Sequence, residues 1–164
     1  MRPTRIEPGP GEESVWDYPR PPRLERTERH IEVVFAGVVL ADTRSAWRVL
    51  ETSHPPVYYL PRSEMVEEYL IENPRRSFCE WKGQASYVDV KVGDQIAEYA
   101  GWYYPAPTRG FEAIKDHIAL YPEKMDRCSV DGELVKPQPG GFYGGWITSG
   151  IIGPFKGEAG TEFW

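Results

Sequence analysis

Cysteine and histidine are scarce in this chain: two Cys and three His in 164 residues. Cys79 and Cys128 lie outside any CxxC pattern, so the paired-thiolate spacing of a structural zinc site is missing. The histidines are as scattered as the cysteines, and neither a metal nor a cofactor is expected. Reduced, unpaired thiols and a cytoplasmic setting are the plain expectation. No apolar run approaches the roughly 18 residues of a membrane span. The first 25 residues also lack the apolar core of a secretory signal. Excess positive charge is missing too: 19 Lys and Arg stand against 25 Asp and Glu, a net −6. A nucleic-acid partner favours the opposite sign, so that class is set aside.

Aromatics, glycine and proline are abundant instead. They make up 13% aromatic residues, including ten Tyr, with 16 Gly and 16 Pro. Tyr and Trp favour pleated, half-buried surfaces, and Gly and Pro punctuate turns. The expectation is a mainly β (β-rich α+β) single domain, a twisted or barrel-like sheet with one or two short helices.

Three stretches differ in character. Residues 1–25 hold six of the 16 prolines and read as an extended arm, in which Trp16 and Tyr18 can dock on the domain or a neighbouring subunit. Residues 26–136 carry the strand pattern. Ile31, Val33 and Phe35 share one face, Gly37 allows a tight turn, and Val38 to Ala41 return. Trp47–Thr52 and Val57–Leu60 follow, separated by a Pro55-Pro56 bend. Met65, Val66, Tyr69 and Leu70 recur at helical spacing after Pro61, with Asn73-Pro74 as a stop. Further strands are expected at 77–82, 85–92 and 95–104, the last two joined at Gly93-Asp94. Phe111, Ile114, Ile118 and Tyr121 mark a second short helix. Asp131-Gly132 is a strong hairpin signal between Arg127–Val130 and Glu133–Val135. Residues 137–164 form a glycine and aromatic tail, costly to leave in water and expected to pack on the domain or a partner subunit.

The run Cys79-Glu80-Trp81-Lys82-Gly83 carries the most chemistry in the fewest residues. On a strand, Cys79 and Trp81 face one way and Glu80 and Lys82 the other. The pair can be a surface salt bridge, which contributes little to stability, or the polar end of a ligand pocket. A buried Lys82 with a lowered pKa would also serve as a base. Glu51 and His54 sit at a strand end beside the Pro-Pro bend, where sites often lie. His54 is an acid or base, or it orients the loop. A metal site from Glu51, His54 and Glu80 would require the three to converge. Trp102 and Tyr104 share a strand face, and the Tyr104 hydroxyl can orient a ligand. Cys79, on the Trp81 face, reads as a buried inert thiol rather than a nucleophile.

Several motifs resemble the bacterial domain-of-unknown-function 427 family. They are the hairpin Val33-Val34-Phe35-Ala36-Gly37-Val38-Val39-Leu40-Ala41-Asp42-Thr43, the run His54-Pro55-Pro56-Val57-Tyr58-Tyr59-Leu60-Pro61-Arg62, and Cys79 to Gly83. Trp102-Tyr103-Tyr104-Pro105 and Val130-Asp131-Gly132-Glu133 follow in the family's order. The resemblance covers about residues 29–136, and the arm and tail are similar to extensions of a longer subgroup. It implies a small β-rich domain comparable to the Mss4-like group, and no set activity. A nucleotidyltransferase label used for the family finds no paired-Asp or P-loop motif here. The resemblance also implies an acidic residue near the short helix, for which Asp116 is the choice.

Two functions follow from these readings. One is a small-molecule-binding domain, with a pocket at Glu51, His54, Glu80, Lys82, Tyr104 and Asp116 and the catalytic residues unknown. The other is an assembly module, a homo-oligomer clasped through the arm and tail.

Overall fold

Turn chemistry sets the first hairpin. Ala36 and Gly37 take positive φ values of 51° and 76° and join the strands Ile31–Phe35 and Val38–Thr43. Asp131 and Gly132 do the same, at 48° and 83°, between Arg127–Val130 and Glu133–Leu134. Arg127–Val130 pairs antiparallel with the free side of Ile31–Phe35, giving a four-stranded sheet. The computed structural model from which these features are read describes residues 3–164.

A second four-stranded sheet runs in the order Ala119–Leu120, Gln95–Tyr103, Gly83–Val92, Leu70–Cys79. A third has Arg23–Arg26, Trp47–Leu50 and Val57–Tyr59. Bridges at Leu60–Ile118 and Ala41–Met65 tie the sheets together. The fold is mainly β, built of several small sheets, and among the described residues no sheet closes into a barrel.

Period-two alternation along Gly83–Val92 feeds two cores from one strand. Val88 and Val90 enter a cluster with Ile31, Leu40, Ile118, Leu120 and Trp146. Ala85 and Tyr87 enter another with Tyr59, Trp102, Tyr104 and Ile114. A smaller cluster joins Val15 and Tyr18 of the arm to Leu50 and to Ile151 of the tail. The arm and tail also pair as strands, Glu13–Ser14 parallel to Ile151–Ile152. Trp146 is fully buried, and its indole N–H donates to the Leu120 carbonyl at 3.1 Å.

Both expected helices are corrected. Residues 62–69 form two short 3₁₀ turns, and Leu70 begins a ten-residue strand. Four apolar residues within six positions are too short a sample to fix a period, and the ladder with Gly83–Val92 wins. Asn73-Pro74 is no stop but a register shift in an edge strand, where Pro needs no partner for a missing N–H. Residues 111–121 give one 3₁₀ turn, Glu112–Ile114, and then the strand Ala119–Leu120. Gly101 allows this: a Cβ there would lie 2.7 Å from the Ala119 carbonyl oxygen.

Candidate functional site

Where the third sheet, the second sheet and the tail meet, a cavity of about 510 Å³ opens. Its walls are aromatic. Val57–Tyr59 turns Tyr59 into the cavity, and Tyr58 packs against Trp146 at 5.0 Å between ring centroids. Trp102 and Tyr104 share a face of their strand, and the Trp102 indole donates to the Tyr59 hydroxyl at 3.2 Å. The Tyr104 and Tyr59 rings have centroids 6.2 Å apart, and burial together with Tyr59 holds the Tyr104 hydroxyl far above the ordinary tyrosine range. A further part of the lining comes from the tail, through Phe142 and Tyr143. Gly144 makes that approach possible. It has φ +77°, and a Cβ there would meet the Trp102 ring at 2.4 Å. Tyr121 fixes the loop by donating to the Phe142 carbonyl at 3.0 Å.

Lys82 lies deep in this cavity. The expected strand 77–82 ends at Cys79, and residues 80–82 form a turn before Gly83 at φ +106°. Thr108 clips the turn. Its N–H donates to the Lys82 carbonyl at 3.0 Å, and its hydroxyl donates to the Trp81 carbonyl. The expected alternation is therefore lost, which corrects two readings. Cys79 borders the same cavity as Lys82 and is not a thiol on the opposite face. Glu80 is exposed at the rim and makes no ion pair with Lys82. Lys82 itself is 9% exposed, with Nζ 5.8 Å from the Tyr104 ring centroid. Among the described residues no carboxylate lies within 4.0 Å of it. Burial alone would lower its pKa. The negative charge of Glu51, and of Tyr59 and Cys79 where they ionise, opposes burial, and the net direction is above the ordinary lysine value. Lys82 is thus a fixed ammonium at neutral pH and not a base.

His54 closes another side, and its tautomer follows from its neighbours. The Gln138 side-chain oxygen accepts from the Gly145 N–H at 3.1 Å, and its Nε2 donates to the Lys156 carbonyl at 2.8 Å. These two bonds fix which end of the amide is nitrogen. Gln138 Nε2 must then also donate to His54 Nδ1, at 3.0 Å, leaving the ring proton on Nε2. That nitrogen faces Glu51 Oε2 at 3.6 Å, and Glu51 also pairs with Arg20 at 3.3 Å. Burial, with Lys156, Arg20 and Lys82 nearby, lowers the His54 pKa to about 3. A neutral ring whose lone pair is already used cannot act as a base.

The structure brings Glu51, His54, Glu80, Lys82 and Tyr104 around one cavity. Asp116 is not among them. It is exposed at φ +60°, away from the cavity, with its carbonyl accepting from Arg62 Nε at 3.1 Å. The sequence reading did not include Tyr59, Tyr121, Phe142, Tyr143 or Lys156, which line the same space. The tail's dense aromatic and glycine content was the available signal, and it named a surface-covering role without naming the surface. Glu51, His54 and Glu80 do not converge as metal ligands. Among the described residues only His30, Glu32 and Asp42 bring such atoms together, within 4.8 Å, and the His30 ring nitrogen is already hydrogen-bonded to Asp42 at 2.7 Å.

A family profile described as a domain of unknown function (DUF427) matches residues 23–131. No curated protein matches the chain. The matched region supplies Lys82, Tyr104, Glu51 and His54. The Phe142–Tyr143 wall and Lys156 lie beyond it.

Proposed function

This chain belongs to the DUF427 family, and we propose that it binds a small polar ligand in the cavity around Glu80 and Lys82, through an anionic group on the ligand. The observation that carries this reading is Lys82: a buried ammonium that faces open space, with no carboxylate within 4.0 Å among the described residues. A buried charge is costly unless something pairs with it. Apolar walls with a few convergent polar groups are the usual form of a small-molecule site. The surrounding groups favour holding over reacting. Lys82 stays charged, His54 stays neutral, and the buried tyrosine hydroxyls stay protonated.

Thermal unfolding tests the reading, with acetate, hexanoate, phosphate and the neutral hexanamide as probes. An anion that binds the folded state raises the melting temperature. The expected result is a rise with at least one anion, no rise with hexanamide, and loss of the effect in Lys82→Met. Equal shifts in wild type and Lys82→Met for every probe would overturn it. Assembly through the arm and tail is the competing reading. A chain lacking residues 140–164 that keeps its oligomeric state by light scattering, but loses the anion effect, would favour the pocket.

A further inference from the structure

Resting on that reading, we infer that the ligand is a flat aromatic monocarboxylate, its carboxylate set on Lys82 and its ring held against the aromatic lining that Trp102, Tyr104, Phe142 and Tyr143 provide. Three observations carry this. The first is size. A cavity of about 510 Å³ falls within the range of sites for drug-sized molecules and exceeds what acetate or phosphate would fill.

The second is the chemistry of the walls. Tyr59, Trp102, Tyr104 and Tyr121 are already arranged at edge-on or tilted angles, with centroids 4.7 to 6.4 Å apart. That is the offset geometry aromatic rings prefer, and an inserted ring extends it. Ring faces carry negative charge, so they repel a carboxylate and direct it toward the ammonium.

The third is the charge count. Lys82 is the one buried cation on the cavity, and Glu51 and Glu80 also border it. Lys156 is half-buried, with Nζ 5.4 Å from the Tyr143 ring centroid and 3.5 Å from the Trp164 carbonyl oxygen. A phosphate dianion favours guanidinium forks or several converging backbone N–H groups. Of the two ammonium groups on the cavity only Lys82 is buried, and with two carboxylates nearby the balance suits a single negative charge instead. The His54 Nε2–H, held neutral and directed at Glu51, adds no positive charge to this balance.

Calorimetric titration of the full chain separates these terms, with benzoate, 2-naphthoate, cyclohexanecarboxylate, benzamide and phenyl phosphate as probes. Benzoate and 2-naphthoate are expected to bind, the larger ring more tightly. Cyclohexanecarboxylate should be weaker than benzoate by about fivefold, the scale of one aromatic contact. Benzamide should not bind, and phenyl phosphate should be weaker than benzoate. Lys82→Met should abolish benzoate binding, and Lys82→Arg should retain part of it. Cyclohexanecarboxylate binding as tightly as benzoate would overturn the aromatic class while leaving the proposed function standing. Phenyl phosphate binding more tightly would overturn the single charge. Benzoate binding unchanged in a folded Lys82→Met chain, or no binding of any anion to wild type, would overturn both.

Discussion

Arg48 and Lys82 are both buried cations, and their surroundings could hardly differ more. Arg48 is 2% exposed and fully engaged. Its Nη1 meets Glu13 at 2.6 Å, and its Nη2 and Nε meet one oxygen of Glu25 at 2.5 and 2.9 Å. It fastens the arm to the third sheet, and the half-buried Glu13 also accepts from the Tyr18 hydroxyl at 2.9 Å. Lys82 has a thiol, a ring face and open space. Burial and charge type are nearly the same in the two cases, so neither tells a cation held by carboxylates from one left facing open space. The partners do.

The largest expected effect breaks the first half of that contrast. Arg48→Met should lower stability by about 3 kcal/mol, because it leaves two carboxylates facing each other without their cation. In a domain of this size that is roughly a 6–12 °C drop in melting temperature. Glu13 and Glu25 are partly exposed and can recover some hydration, which keeps the loss below the extreme for a dry ion pair. Thermal melts of Arg48→Met and of Glu13→Gln measure it. A drop under about 1 kcal/mol would make Arg48 as dispensable as a surface charge.

The next effect is a pH dependence centred on His54. Its folded pKa lies near 3, below the unfolded value of 6.5. Below pH 6.5 the unfolded chain binds the extra proton and the folded chain does not, so stability falls as pH falls. The slope approaches about 1.4 kcal/mol per pH unit, and it levels off near pH 3. Urea unfolding at pH 7 and pH 5 should differ by about 2 kcal/mol from this group alone. In His54→Gln the onset should move down into the carboxylate range.

Gly144→Ala comes third. Its Cβ would overlap the Trp102 ring at a positive φ, so a loss of about 1–2 kcal/mol is expected. Trp102 fluorescence should change with it. Lys82→Met sharpens the comparison by doing little: stability should stay within about 1 kcal/mol or rise, because a buried charge is replaced by an apolar side chain of similar length. The same substitution should remove anion binding. A large loss of stability in Lys82→Met would place Lys82 with Arg48. Phe142→Ala is the smallest. The side chain is exposed, so stability should change by less than about 0.5 kcal/mol while benzoate affinity falls.

Local chemistry was readable where it acts through neighbours in the chain. The turns at Ala36-Gly37, Gly93-Asp94 and Asp131-Gly132 stand in the structure, since each depends on two residues and the flanking strands. The stretches at 62–73 and 111–121 misled because their spacing suits a helix while distant strands offer them ladders. At Cys79–Gly83 the residues were identified but their directions were not. That turn is clipped by Thr108, about 26 positions along the chain, and no local pattern reports it. The tail was legible as aromatic and glycine-rich, yet its contact with Trp102 depends on an unpredictable approach of backbone to ring at Gly144.

The arm–tail pairing, two residues against two, has a kinetic consequence. Opening free energy grows with the number of backbone bonds and buried contacts that must be released together. The pair Glu13–Ser14 with Ile151–Ile152 is short, and the ladder between Leu70–Cys79 and Gly83–Val92 is long. Around the Arg48–Glu13 contact and the buried Trp146, which anchor the arm and the tail, the paired residues Glu13, Ser14, Ile151 and Ile152 are therefore expected to open more readily than that ladder. Exchange of their amides should run ahead of the sheets.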